Sequence, residues 1–212
     1  MGRKKFICHT ELPYHITARC INRDWFSVDT KEAWKIMTLH LHFMYLAYDV
    51  QIHAFTLMSN HFHLIAHAPK GNLSEAMRFF MSESSRDLRY LSHRINNTYG
   101  ARFHRSLLNS PLYYLHAYKY LYRNPVEAGA CQKVEDYPFS SLQGLLGKQK
   151  MEVPIFTDPH WSTAEGINGT LLWLNSAPQK EDWELVRRGL KKSVFQLAHK
   201  NNYRSHLEIN AL

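Results

Sequence analysis

Residues 51–68 read QIHAFTLM-SN-HFHLIAHA, two apolar runs parted by the turn formers Ser59 and Asn60. Runs of this length, rich in residues that favour extended chain and joined by two turn residues, fold back as an antiparallel hairpin. A lone hairpin is marginal in water, so this one needs further strands and a helical backing. The chain supplies both. PYHITARCI (13–21) and RFHRSLL (102–108) read as strands, being partly β-branched or aromatic and bounded by polar clusters. Behind a cap at Asp29 or Thr30, Trp34, Met37, Leu41, Met44 and Tyr48 recur at three- and four-residue steps, the period of a helix. Asn72, with Glu75 three residues on, opens a second helix whose apolar face carries Met77, Phe80, Met81, Ser84, Leu88 and Leu91. Ser110 and Pro111 open a third, as N-cap and first-turn proline. That helix is expected to end near Asn124, because Pro125 steers the residue before it away from helical geometry.

The resulting order, β-α-β-β-α-β-α, is an α+β plan with an antiparallel sheet. From residue 148 the character changes to loop-like sequence and then a helix, KEDWELVRRGLKK, with Trp183, Val186 and Leu190 on one side. The expected organisation is therefore a domain over 1–147 and a partly helical C-terminal extension over 148–212.

Twenty-six Lys and Arg against 18 Asp and Glu give a formal charge of +8, which favours a polyanionic partner such as nucleic acid. Three cysteines without a Cys-x-x-Cys spacing fit a reduced, cytoplasmic chain. MGRKKFICH has no apolar run behind its basic residues and does not read as a secretory signal. Nothing approaches the ~20 apolar residues of a membrane span.

Two His-x-His triplets occur, at 40–42 and 61–63. On a helix, positions two apart diverge by about 200°, so His40 and His42 do not grip one ion. On a strand they share a face, which makes His61 and His63 a chelating pair. The plainer alternative, two hydrogen-bonded sheet histidines, stands until a third ligand is found. The third helix crowds Tyr113, Tyr114, Tyr118, Tyr120 and Tyr122 into ten positions. On a helical wheel Tyr114, Leu115, Tyr118, Leu121 and Tyr122 form one packing arc. Tyr120 falls on the opposite arc among Tyr113, His116, Lys119, Arg123 and Asn124, with Asn124 one turn on. A phenol with its ordinary pKa of about 10 is a poor nucleophile without a cationic or metal neighbour. An amide oxygen from Asn124 would complete a metal site with the two histidines, and the chemistry on which these residues converge is metal-assisted attack of Tyr120 on a phosphodiester.

Four stretches carry a family resemblance. LMSNHFHLI resembles the two-histidine strand of HUH-type single-tyrosine transposases. YLYRNPVEAG (120–129), DYPFSSLQGLLG (136–147) and YHITARCINR (14–23) are similar to segments of the REP-associated branch of that superfamily. The resemblance spans about residues 12–147, with the motifs in order. It implies a ferredoxin-like antiparallel sheet with helices packed on it and a nucleophile at Tyr120. It also implies metal ligands at His61, His63 and Asn124, with Mg²⁺ or Mn²⁺ as the ion. The implied substrate is single-stranded DNA beside an imperfect hairpin, cleaved through a 5′-phosphotyrosine, by a monomer or a homodimer. Arg19, Arg23, Arg78, Arg86, Lys119 and Arg123 are candidates for DNA contacts, with Arg89 beside them. Two rivals stay open: a hairpin-binding regulator that does not cleave, and a zinc hydrolase using His61 and His63 with a bound water.

Overall fold

A computed structural model describes residues 8–156, 166–197 and 206–212; the basic N-terminal run and the end of the 147–159 loop lie outside them. The sheet has four strands, β1 (Tyr14–Arg19), β2 (Gln51–Leu57), β3 (His61–His67) and β4 (His104–Leu107), in the order β2-β3-β1-β4 with every pair antiparallel. The hairpin expected at residues 51–68 is β2–β3, and it pairs onward to β1 rather than standing alone.

Alternation along the strands sorts side chains to two faces. Ile16, Ala18, Phe55, Phe62, Leu64 and Ala66 join a core with residues of α1 (Thr30–Tyr48) and α2 (Leu73–Ser92). Ala54 and Ile65 face the other way, into a second core with α3 (Pro111–Glu127). The sheet is thus sandwiched, and β-strand residues next to each other in sequence serve different layers. Among the described residues no helix is long and apolar enough to cross a membrane.

Helix starts follow the local signals in part. Asp29 caps α1 by accepting from the Glu32 amide at 2.8 Å, and Ser110 caps α3 by accepting from the Tyr113 amide at 3.2 Å. Asn72 precedes α2, but its side chain does not cap it. The Nδ2 donates instead to the Tyr48 carbonyl at 2.9 Å, tying the end of α1 to the start of α2.

The end of α3 departs from the sequence expectation: the helix continues through Pro125 to Glu127. Proline disfavours helix in the residue before it without forbidding it, and packing decides here. Pro125 is buried, Arg123 Nε donates to Glu127 Oε1 across one turn at 2.8 Å, and the Ala128 amide reaches the Asn124 carbonyl at 3.0 Å. Gly129, at φ +71, then takes the left-handed conformation that ends the helix.

Beyond α4 (Leu142–Leu145), the C-terminal part supplies α5 (Gly166–Asn175) and α6 (Lys180–Gly189), which pack on α3. Leu174, Trp183, Val186, Phe195 and Leu207 share a core with the tyrosines of α3. The arc of α3 read from sequence as polar is accordingly buried beneath this layer.

Candidate active site

On the α3 side of the sheet, residues 15, 17 and 19 of β1 lie beside 61 and 63 of β3, in the register Thr17 opposite His63 and Arg19 opposite His61. These strand positions, with Tyr120, Asn124 and Glu127 of α3 and Trp183, Arg187 and Lys191 of the C-terminal layer, line a cleft of about 800 Å³. The His61 and His63 rings are 5.0 Å apart between centroids, on one face as the strand period requires. The Tyr120 ring lies 5.5 Å from that of His63 and stacks at 4.6 Å on Trp183, which leaves it 8% exposed.

Each histidine is held by its other nitrogen. His61 Nδ1 pairs with Asn60 Oδ1 at 2.7 Å, and the Asn60 Nδ2 donates to the Arg23 carbonyl at 2.8 Å, which fixes the amide's orientation. His61 therefore carries its proton on Nδ1 and keeps a lone pair on Nε2. His63 Nδ1 pairs with His15 Nε2 at 3.0 Å, while its buried Nε2 has no hydrogen-bond partner among the described residues. Burial, then Arg19, lowers His61 to about 4. Burial, then the neighbouring His61, His15 and Arg19, holds His63 well below the ordinary imidazole range. Both rings are neutral at physiological pH, the state that ligates metal.

Asn124 Nδ2 donates to the Tyr120 carbonyl at 3.0 Å, and its Oδ1 accepts no hydrogen bond among the described residues. An orphaned imidazole nitrogen, a second tautomer-fixed imidazole and an amide oxygen on one cleft fit a divalent ion. Among the described residues no three His, Cys, Asp or Glu side chains cluster as a metal site, so a third ligand must come from an amide, backbone or water. The Tyr120 pKa is raised by burial, against the pull of the Asn124 hydrogen bond, Arg187 and Arg19.

The five tyrosines separate cleanly. Tyr118 and Tyr122 pack edge to face, with ring centroids 4.7 Å apart, inside the core. Tyr113 donates to Glu208 at 2.9 Å, and its pKa is raised to about 12 by burial and that bond. Only Tyr120 of the five lines the cleft.

Of the six residues expected to contact DNA, Arg19 and Arg23 line the cleft and the other four do not. Arg78 and Arg86 belong to α2 on the opposite face of the sheet, and Arg86 pairs with Glu83 and Asp87. Lys119 is buried under the C-terminal layer, donating to Ser176 Oγ at 2.7 Å and the Leu212 carbonyl at 2.8 Å; burial and Arg123 lower its pKa to about 8. Arg123 likewise donates to the Leu174 and Asn175 carbonyls. His116, on the arc opposite the packing arc, is fully buried with Nε2 on the Leu207 carbonyl at 2.8 Å. These groups fasten the extension to α3.

Sequence reasoning missed His15, Arg102 and Trp183 as lining residues, and Asn60 as the partner of His61. For His15 a signal existed, since it shares the strand parity of Thr17 and Arg19. For Trp183, Arg187 and Lys191 nothing in the sequence says that α6 returns to α3.

The family model for IS200-like transposases matches residues 8–110. None of the curated proteins compared with the chain matches it. Among solved structures, a REP-associated tyrosine transposase bound to a REP hairpin is similar at 19% identity and a TM-score of 0.58, covering 78% of this chain and 97% of that one. A second structure, from Deinococcus radiodurans R1, is 17% identical over 50% of this chain and 82% of that one, with a TM-score of 0.37. The fold is that of the REP-associated tyrosine transposase, and residues 8–110 are similar to the family of IS200-like transposases.

Proposed function

We propose that the cleft cleaves and rejoins single-stranded DNA beside an imperfect hairpin, through a 5′-phosphotyrosine on Tyr120. The observation that carries this reading is that the one α3 tyrosine in the cleft shares it with two neutral histidines, each anchored through Nδ1, and an amide. The hairpin bound in the similar transposase structure supports a hairpin substrate here.

In the forward step the Tyr120 Oη bonds to phosphorus as the bond from phosphorus to the 3′-oxygen breaks. The phenol loses its proton and the departing 3′-oxygen gains one. The number of phosphoester bonds is unchanged, so a 3′-hydroxyl of another strand reverses the step without an external energy source. His61 and His63 through Nε2, with Asn124 through Oδ1, are the residues that would hold a divalent ion. Mn²⁺ suits two imidazoles at least as well as Mg²⁺. When bound, such an ion offsets charge on the scissile phosphate and on the leaving oxygen. Arg19, Arg23, Arg102, Arg187 and Lys191 give the cleft the sign that a phosphate backbone requires. Trp183, stacked on Tyr120, fixes the ring and limits its access to water.

The test is incubation with end-labelled single-stranded hairpin DNA and Mn²⁺, followed by a denaturing gel. A protein-linked band that chelator removes is expected. Binding without any covalent band means a hairpin-binding regulator, and free ends released without a protein link mean a hydrolase.

A further inference from the structure

A second cavity, of about 380 Å³, lies next to the cleft and shares Cys20 and Asn22 with it. Its walls are the 20–27 segment and the chain around the end of α2, residues 89–98. Trp25 stands on its rim 75% exposed, close to Ile95 at 92% and Ile21 at 38%. Leaving an indole in water forgoes one of the largest apolar gains a side chain offers, so a position that keeps it there calls for an occupant.

The ring is not on a loose loop. Cys20 donates to the Asn60 carbonyl at 2.9 Å, Phe26 to the Ser59 carbonyl at 2.8 Å, and Phe26 itself is buried. Asn22 and Arg23 both take positive φ, 55° and 62°, a conformation that costs non-glycine residues and persists only where neighbours enforce it. The enforcing neighbour is Asn60, which receives Cys20, holds the Arg23 carbonyl and orients His61. One turn therefore positions the candidate metal ligand and the exposed indole together.

The charge of the groove selects among occupants. Arg89 and Arg94 line it; among the described residues neither is in a salt bridge, and Asp24 is the only carboxylate in the lining. Two uncompensated guanidiniums around an exposed aromatic are the combination that binds single-stranded nucleic acid, with a base on the ring and phosphates on the cations. The shared lining makes the groove continuous with the cleft.

We propose that this groove seats an unpaired nucleotide of the DNA strand that runs into the cleft, its base stacked on Trp25 and its flanking phosphates held by Arg89 and Arg94. The proposal rests on the cleft binding single-stranded DNA, and it deepens that reading by naming where the strand continues. Because stacking reads every base through its face, the subsite holds the strand without choosing its sequence.

The test uses Tyr120→Phe protein, which removes cleavage from the readout, and an oligo(dT) of about 12 nucleotides carrying one photoreactive 5-iododeoxyuridine. Trp25→Ala is expected to weaken binding about tenfold and Trp25→Phe by no more than about threefold. Cross-linked peptides should include residue 25. Both substitutions are at an exposed position, so thermal melting should be unmoved. Should Trp25→Ala nevertheless lower the melting temperature, the cross-link in protein with the intact indole decides the matter. Unaltered affinity in Trp25→Ala, or cross-links that exclude residue 25, overturns the subsite. Loss of self-association in Trp25→Ala with DNA affinity unmoved would give the groove to a second copy of this chain. Binding through Trp25 by a protein that forms no adduct refutes cleavage and leaves the subsite intact.

Discussion

The two faces of the sheet are made of the same strands and obey opposite rules. Towards α1 and α2, β1 and β3 present Tyr14, Ile16, Ala18, Phe62, Leu64 and Ala66, a dry face with no imidazole and no charged side chain. Towards α3, the alternate residues are His15, Thr17, Arg19, His61 and His63, and buried imidazoles occupy places where a core would put leucine. A face of that kind gains less from burial and costs more in desolvation. It is stable only because each ring is partnered and because α3, α5 and α6 shield what the partners leave. The apolar face specifies the fold, and the polar face spends part of that stability on a site.

The sharpest way to break the comparison is to alter one residue on each face. His63→Ala, like His61→Ala, should lower adduct formation by on the order of 10³-fold or more, the worth of several kcal/mol of charge stabilisation. Hairpin affinity in a gel shift should stay nearly unchanged. Phe62→Ala, between them in sequence, should instead destabilise the fold by about 3–5 kcal/mol in urea denaturation, and its residual folded protein should still form adduct. A Phe62 variant that folds normally but is inactive would mean that the faces are not independent.

Acid should separate the faces further. His61 is held at about 4 and His15 at about 3, both by burial first, against an ordinary value of 6.5. A histidine depressed in the folded state adds stability that is fully present above about pH 6.5 and lost as pH falls through its folded pKa. Metal-free protein should therefore lose stability progressively from about pH 6.5 towards 3, measured as a falling urea midpoint. The apolar face contributes nothing to that slope. A smaller effect is expected at the rim: Arg19→Ala should weaken hairpin binding by roughly tenfold and reduce the salt dependence by about one unit of slope. Arg78→Ala, on the other face, should change neither.

Much of this division was legible beforehand. Period-two alternation put His61 and His63 together and Phe62 opposite, and the wheel isolated Tyr120 from Tyr118 and Tyr122. What the wheel could not supply was the third layer. Lys119, His116 and Arg123 look like a solvated arc because helical periodicity records which residues share a side, not what lies against that side. Their partners, from Leu174 to Leu212, are some 50 to 95 residues away, a separation no local pattern encodes. Pro125 misled for the same reason: its local preference is real, and the packing and hydrogen bonds that override it come from outside the dipeptide. His15 was readable from strand parity but not from spacing, since it reaches His63 only through the β1–β3 register.

The central claim is that Tyr120, the one tyrosine among the described residues that lines the cleft, is the nucleophile. The most direct measurement is peptide mapping of protein linked to labelled hairpin DNA, run alongside Tyr120→Phe, Tyr118→Phe and Tyr122→Phe. The account predicts a single DNA-linked peptide containing Tyr120, no covalent product from Tyr120→Phe despite normal folding and binding, and an adduct retained in the other two. An adduct mapped to any other tyrosine, or one that survives in Tyr120→Phe, would contradict it.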